Sequence, residues 1–228
     1  MQLNNEGYVN IENISGSDER IARVAGISYG KSYETVCVGD ESQVGGRMRV
    51  TSDGFDNVKL SSIAQRLIPH LMHLGHWTPF EFCYFTVKVR APIFVARQWM
   101  RHRSLSYLEE SRRYTSGEVV VRRPEGLPVY LQNSIDEHLV ENADLYRQLL
   151  ESGVKKEDAR TILPLGTYTT FFVSGNLRNW CHFLRQRMSS NAQADIREYA
   201  NAIFHEILEE EFPITASSFL LEFFPGGL

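Results

Sequence analysis

The densest group of residues able to do chemistry lies between residues 97 and 114 of the 228-residue chain. One histidine, two glutamates and three serines stand there among five arginines, namely Arg97, Arg101, Arg103, Arg112 and Arg113. Guanidinium groups bind phosphate through paired hydrogen bonds, and hydroxyls and carboxylates can bind sugar and base edges. The segment therefore predicts a site for a phosphorylated small molecule.

A solvated, charged helix is the alternative for this segment, with Glu109 paired to Arg112 or Arg113 along its surface. The segment directly follows an apolar run, residues 93–96, which places its charges at the boundary of the core. Convergent arginines at such a boundary need an anion to neutralise them. This position favours the anion site, although the residues alone leave both interpretations open.

A second basic group lies further along the chain, at Arg160, Arg178, His182, Arg185 and Arg187. Asn176 can cap a helix beginning near Leu177, whose first N–H groups would then be open to an anion. On that helix Arg178 and Arg187 stand about 180° apart, so we expect them to face different ligands or different parts of one ligand. A solvated helix face is again the alternative.

Three histidines, His70, His73 and His76, raise the question of a metal site. His70 and His73 share a helix face, but His76 lies about 240° from His70 and follows Gly75, which ends the helix. Because zinc needs convergent ligands, we expect no metal. The stretch from His76 to Glu81 fits a turn with a buried aromatic or a polar site loop equally well.

Hydrophobic periodicity and strand-forming residues predict an α+β protein in which helices outnumber strands. Pro92 is expected to open a helix, and residues 38–57 are expected to form a loop. Further helices are predicted near residues 18–24, 61–74, 134–152, 155–162, 177–188 and 192–211, and strands near residues 82–90, 119–122 and 168–173. No repeat or linker interrupts the pattern, so we expect one domain over residues 1–228.

The composition excludes several classes of protein. A formal net charge of −4 argues against a general nucleic-acid binder. We expect no signal peptide, because the first residues show no basic region followed by an apolar run. We expect no membrane span, because no apolar run reaches about 18 residues. Its three cysteines, Cys37, Cys83 and Cys181, are far apart and fit reduced thiols in the cytoplasm.

Together these segments resemble the flavin-dependent thymidylate synthases, the ThyX family. The family signature is R-H-R, seven further residues and Ser, which reads here as Arg101-His102-Arg103 and Ser111. The similarity covers roughly residues 20–220. Further matches are Ser106, Glu109, Arg113, Tyr114, residues 76–81, residues 91–99, residues 159–165, residues 176–178 and Arg187. The chain departs from the family at Leu108 and His182, where Asn is usual, and at Phe82, where His is frequent.

The resemblance implies reductive methylation of dUMP to dTMP. Methylenetetrahydrofolate would donate the carbon, and FAD reduced by NADPH would supply the hydride. The family fold is a helix-rich body packed on a small, mostly antiparallel sheet. The family also forms a homotetramer whose active sites are shared between subunits. Shared sites explain why the chain has neither a G-x-G-x-x-G fingerprint nor a Walker A loop.

The resemblance also implies residue roles. dUMP would be held by Gln98, Trp99, Met100, Arg101, Glu109, Glu110, Ser111, Arg112, Arg113, Arg160 and Arg187. FAD would contact Ser28, Thr78, Glu81, Arg101, His102, Arg103, Glu109, Asn176, Leu177, Arg178 and His182. Arg187 would lie at the uracil, where a cation favours the N3-deprotonated ring. Arg113 and Arg160 would bind the phosphate, and His76 is a candidate for the folate or nicotinamide side.

The cysteines bear on the chemistry. The family uses no enzymatic nucleophile on uracil, and no cysteine here lies in a segment that activates a thiol. The alternative from another class of protein is a module that binds single-stranded nucleic acid through these arginines and Tyr107 and Tyr114. The acidic net charge counts against that module.

Overall fold

The computed structural model describes residue 3, residues 6–30 and residues 54–227, with backbone alone for residue 29 and residues 54–59. Of the loop predicted over residues 38–57, the first part lies outside these ranges, as does Cys37, and residues 54–57 are helical. The described residues form two compact units. The sheet unit lies within residues 1–13, 86–175 and 192–199, and the helical unit within residues 14–85, 176–191 and 200–228.

Strands and helices alternate irregularly along the chain. In order they are β1 (Tyr8–Ser15), α1 (Asp18–Gly26), α2 (Gly54–His73), β2 (Tyr84–Pro92), α3 (Ile93–Trp99), β3 (Ser106–Glu109), α4 (Val129–Glu151), α5 (Lys156–Ala159), β4 (Tyr168–Asn176), α6 (Leu177–Arg187), α7 (Ala194–Ile203), α8 (Glu209–Glu211) and α9 (Pro213–Phe223). Short 3₁₀ turns cover Ile27–Tyr29, Thr78–Phe82 and Arg160–Ile162, and a π turn covers Phe204–Leu208. The predicted α+β class is confirmed.

The small sheet has the strand order β1-β2-β4-β3. β3 runs antiparallel to β4, with Ser106 opposite Ser174 and Glu109 opposite Phe171. Alternate residues of β2 are buried, as the period of a strand with one core face requires. The strand predicted over residues 119–122 is wrong in extent, because the structure has there an isolated bridge between Val121 and Thr167.

A buried carboxylate joins the first and last helices of the helical unit. Asp18, 2 % exposed, opens α1. It accepts hydrogen bonds from Ile214 N at 2.7 Å and from Thr215 Oγ1 at 2.6 Å, at the start of α9. Burial raises the pKa of this carboxyl, while the bonds from Thr215 and Ile214 lower it. Asp18 thus caps a helix 196 positions further along the chain.

An aromatic pair fixes α6 within the same unit. The Trp180 ring stacks on Phe85 at 4.3 Å between centroids, and its indole N–H donates to Phe85 O at 3.2 Å. Both side chains are almost fully buried. Among the residues that the structure describes, no helix is long and apolar enough to cross a membrane.

Candidate functional site

The arginine loop, residues 97–114, turns from the end of α3 into β3. Trp99 is fully buried and meets Phe171 edge-to-face at 5.8 Å, which anchors the end of α3. The Tyr107 hydroxyl lies 2.6 Å from Trp99 O and 3.1 Å from His102 O, so it closes the turn between them. His102 is buried, while Arg101 and Arg103 are exposed. The R-H-R segment therefore presents two guanidinium groups around an inward imidazole.

The second half of the arginine loop fixes its acidic and hydroxyl groups locally. Glu109 Oε1 accepts from Thr169 Oγ1 at 2.8 Å, and Glu110 Oε1 accepts from Thr115 Oγ1 at 2.9 Å. Ser111 Oγ accepts from the N–H of Arg113 at 3.3 Å. The charged-helix alternative is wrong for this stretch, because residues 106–109 form a strand paired with β4.

The two arginines at the end of the arginine loop have different partners. Arg112 donates to Gly117 O at 3.2 Å and to Glu118 O at 3.1 Å, so its guanidinium is held by the backbone. Arg113 forms an ion pair with Glu157 at 2.9 Å, and both side chains are well exposed. An exposed carboxylate contributes little to such a pair and can be exchanged for a phosphate.

Glu157 also contacts Arg160, which is distant from Arg113 in the sequence. The Arg160 Nε donates to Glu157 O at 3.3 Å, while the Glu157 carboxylate faces Arg113. The structure thus gathers around one residue the two arginines that the sequence assigned to phosphate, although 47 positions separate them. Sequence reasoning missed Glu157 and Thr169, because their role depends on where α5 and β4 pack. It considered Tyr107 as a stacking residue for nucleic acid and missed its role in closing the turn.

A second polar group, the α6 cluster, consists of Thr78, Glu81, Asn176 and Arg178 in the helical unit. Asn176 Oδ1 accepts from Asn179 N at 3.0 Å, which confirms the predicted helix cap. Arg178 forms an ion pair with Glu81, and about half of the Arg178 side chain is exposed. Thr78 opens the 3₁₀ turn that holds Glu81 and is exposed. The cluster offers a cation, a hydroxyl and an amide at one helix start.

The expected anion site at open N–H groups of α6 is only partly available. Leu177 N donates to Cys83 O at 2.8 Å, and Asn179 N is taken by the cap. Recognition of an anion at this end therefore depends more on the Arg178 guanidinium than on the helix backbone.

Arg187 lies at the opposite end of α6, about 14 Å along the axis from Arg178 at 1.5 Å per residue. It is half-buried. Its neighbour Arg185 stacks over the Phe223 ring at 4.6 Å from the centroid. That Arg178 and Arg187 face different ligands, or different parts of one ligand, stays a prediction.

The predicted site residues differ in accessibility. Exposed ones are Ser28, His76, Thr78, Arg101, Arg103, Glu109, Glu110, Arg113, Arg160, Arg178 and His182. Half-buried ones are Glu81, Gln98, Met100, Ser111, Arg112, Asn176 and Arg187. Trp99, His102 and Leu177 are buried, so they would act by shaping the backbone around a ligand.

The thiols within the described ranges are unsuited to nucleophilic attack. Cys83 and Cys181 are 0 % and 1 % exposed. Burial raises the pKa of the Cys83 thiol to about 11 and raises that of Cys181 further. Both remain protonated at neutral pH, and the thiolate is the reactive form.

The three histidines considered for a metal do not form a ligand set. His73 Nδ1 lies 3.2 Å from a carboxylate oxygen of Glu222. Within the described ranges no group of three or more histidine, cysteine, aspartate or glutamate side chains could hold a metal ion.

Comparison with known families first defines the class of protein. The family model described as thymidylate synthase complementing protein matches residues 11–214. A solved UMP/dUMP methylase from Streptomyces cacaoi, bound with 5-Br dUMP, superposes with a TM-score of 0.76. That structure is 25 % identical in sequence, and the similarity covers 98 % of each chain.

Two curated relatives then define the family. A flavin-dependent thymidylate synthase of Thermosipho africanus is 34 % identical over 98 % of this chain and 95 % of its own length. One of Thermus thermophilus is 34 % identical over 94 % of this chain and 76 % of its own. The chain belongs to the flavin-dependent thymidylate synthase family.

Proposed function

We propose that the protein methylates the uracil of dUMP reductively to give dTMP. 5,10-Methylenetetrahydrofolate provides the carbon, and NADPH reduces the flavin. The observation that supports this most directly is the meeting of Arg113, at the end of the arginine loop, and Arg160 at Glu157. One guanidinium group paired with an exposed carboxylate, and a second bonded to the backbone carbonyl of the same residue, fit a nucleotide monophosphate.

The residues present fit FAD by their chemistry. Diphosphate and flavin edges need cations, hydroxyls and amides, and the α6 cluster supplies Arg178, Thr78 and Asn176. Bound FAD supplies the hydride that completes the methyl group. We propose that these residues act with Ser28, Glu81, Arg101, His102, Arg103, Glu109, Leu177 and His182.

For dUMP we propose that Arg113 and Arg160 hold the phosphate, which takes the place of the Glu157 carboxylate at Arg113. Arg112 contributes through its backbone, since its side chain is bonded to Gly117 O and Glu118 O. Glu109 and Ser111 lie within the same loop. The remaining members of the proposed set are Gln98, Trp99, Met100, Arg101 and Glu110.

We propose Arg187 as the catalytic residue. A guanidinium at the uracil lowers the pKa of N3 and draws charge away from C6. With the ring polarised in this way, no thiol has to attack C6, in agreement with the buried, protonated Cys83 and Cys181. His76, exposed at the end of the turn after α2, is proposed for the folate or nicotinamide side.

The assembly is also a proposal: a homotetramer in the cytoplasm, with sites shared between subunits and each chain a single domain over residues 1–228. Support comes from α4, a 23-residue helix in which Tyr146 alone is buried. Val129, Tyr130 and Val140 on this helix are 60–70 % exposed. Large apolar side chains exposed to this degree are typical of an interface.

Anaerobic incubation with dUMP, methylenetetrahydrofolate, FAD and NADPH tests the reaction directly, with dTMP as the measured product. The nucleic-acid module predicts a colourless protein that shifts single-stranded oligonucleotides and forms no dTMP. The family comparisons favour the enzyme.

A further inference from the structure

A run of side-chain hydrogen bonds leads away from Gln98 to a charged pair in the sheet unit. The Gln98 amide N–H donates to Gln193 Oε1. The Gln193 amide N–H in turn donates to Asp195 Oδ2 at 3.1 Å. The other oxygen of Asp195 accepts from Arg122 Nε at 3.0 Å. Arg122 and Asp195 are each about one-fifth exposed, so the end of the run is sheltered from water.

The chemistry of these groups fixes the direction of every bond. A guanidinium has only donors, so Arg122 requires an acceptor, which the Asp195 carboxylate provides. A carboxylate has only acceptors, so Gln193 must turn its NH₂ toward Asp195. The carbonyl of Gln193 then faces Gln98, which must donate a hydrogen bond from its own NH₂ group. The Arg122–Asp195 ion pair therefore determines which way the Gln193 amide is turned, and through it which way the Gln98 amide is turned.

We propose that Gln193 and Asp195 are positioning residues that set the amide orientation of Gln98 for recognition of dUMP. This proposal rests on the proposed function, in which Gln98 contacts the nucleotide. With its nitrogen committed to Gln193, Gln98 presents its carbonyl oxygen to its other partners. The 3′-hydroxyl of dUMP is a donor from which an amide oxygen in that orientation can accept a hydrogen bond, and it remains a donor when the uracil N3 is deprotonated near Arg187.

A double-mutant cycle on the FAD-loaded enzyme tests the proposal. Gln193→Met keeps the length of the side chain and removes both amide bonds. The dUMP Kd measured by calorimetry and the dUMP KM should each rise about five- to tenfold, with kcat within about twofold, as expected for lost ground-state binding. Gln98→Met should give a similar loss. Because Gln193 acts through Gln98, the double variant should be no weaker than Gln98→Met alone.

Gln132→Met is the matched control, since that amide on α4 donates to Leu127 O and should leave dUMP binding unchanged. Additive losses in the double variant, or an unchanged Kd in either single variant, overturn the proposal. If Gln193→Met lowers Tm enough to unfold the protein, a cycle of Asp195→Asn with Gln98→Met decides by the same criterion. A wild-type enzyme that neither binds dUMP nor forms dTMP would contradict the proposed function itself, which separates the two failures.

Discussion

The arginine loop and the α6 cluster hold their cations in different ways. In the loop, Arg112 is bonded to two backbone carbonyls, and Arg113 faces the exposed carboxylate of Glu157. In the α6 cluster, Arg178 faces the carboxylate of Glu81, beside a helix capped by Asn176. Arg113 and Arg178 are exposed and each faces a carboxylate that can leave, whereas the half-buried Arg112 is held by two backbone carbonyls.

This difference distinguishes Arg112, whose guanidinium is held by the backbone, from Arg113 and Arg178, which we propose to bind ligands. Two backbone carbonyls hold the Arg112 guanidinium at once, so both bonds must break before it can take another partner, whereas an exposed carboxylate contributes little and can give way to a phosphate. Arg113 and Arg178 are therefore ready to exchange partners, and Arg112 is not.

The largest effect is expected at the far end of α6. Arg187→Ala should lower dTMP turnover by about 10³-fold or more, because a cation that stabilises charge in the transition state is lost. Arg185→Ala is the matched control on the same helix, since it removes a contact with Phe223 and should retain most activity. Steady-state turnover together with circular dichroism separates loss of chemistry from loss of fold. Equal losses in both variants would contradict the catalytic role of Arg187.

The comparison assumes that the α6 cluster binds its ligand without a covalent bond. A reactive Cys83 thiol next to the cluster would contradict this. The Cys83 carbonyl accepts Leu177 N–H, and the pKa of its thiol is raised from 9.0 to about 11. At pH 8 the thiolate fraction is about 100-fold lower than for a thiol with the unshifted pKa, one factor of ten for each pKa unit. Iodoacetamide labelling, read by mass spectrometry, should be slower by at least that factor for the native protein.

The pH dependence of that labelling has a definite sign. The rate should keep rising tenfold per pH unit beyond pH 9 instead of levelling off there, until the protein unfolds. The unfolded thiol loses its proton near pH 9 and the folded thiol near pH 11, so this group favours the unfolded state progressively between those values. A plateau of the Cys83 rate near pH 9 in folded protein would show that the thiol is accessible.

The loop side of the comparison is tested by Arg113→Ala. The dUMP KM should rise about tenfold, the value for a lost charge-assisted hydrogen bond at an exposed site. Arg112→Ala should instead lower Tm and weaken dUMP less, because its guanidinium supports the turn. Arg147→Ala, which removes a surface pair with Asp144 on α4, is the control with no expected effect. If Arg112→Ala raised the dUMP KM more than Arg113→Ala, the distinction between fixed and exchangeable partners would be wrong.

The sequence predicts local elements where the periodic signal is strong. α6 and β4 follow from an amphipathic period and a run of aromatic and β-branched residues. α9 was missed because it is apolar at most positions and so has no amphipathic period. β1 was missed because its apolar residues, Tyr8, Val9, Ile11 and Ile14, do not alternate regularly with its polar ones. The bridge at Val121 shows the opposite error, a strand-forming sequence with a single partner.

Candidate site residues that belong to a local sequence motif could be predicted. Those that join the site only through packing of distant segments were missed. The arginine loop and the Asn176 cap could be identified from residue types and spacing. Glu157, which joins Arg113 and Arg160, and Gln193, which holds Gln98, have no local signature, because their contacts depend on chain segments folded together. Long-range pairing of this kind is not encoded in any spacing along the chain.

The smallest expected effect concerns Asn176 in the α6 cluster. Asn176→Ala should cost about 1 kcal/mol of folding stability, because the cap on Asn179 N is lost. Asn176→Asp keeps an oxygen acceptor at the same position and should retain that stability. The same change replaces a neutral amide with a negative charge beside Arg178, so it should weaken FAD by like-charge repulsion with the diphosphate. If Asn176 both caps α6 and faces the flavin nucleotide, Asn176→Asp should be the more stable variant in denaturant unfolding. Asn176→Ala should then bind FAD more tightly in titration. If FAD affinity followed stability in both variants, Asn176 would be a helix cap alone, and Arg178 would remain the ligand-binding group of the α6 cluster.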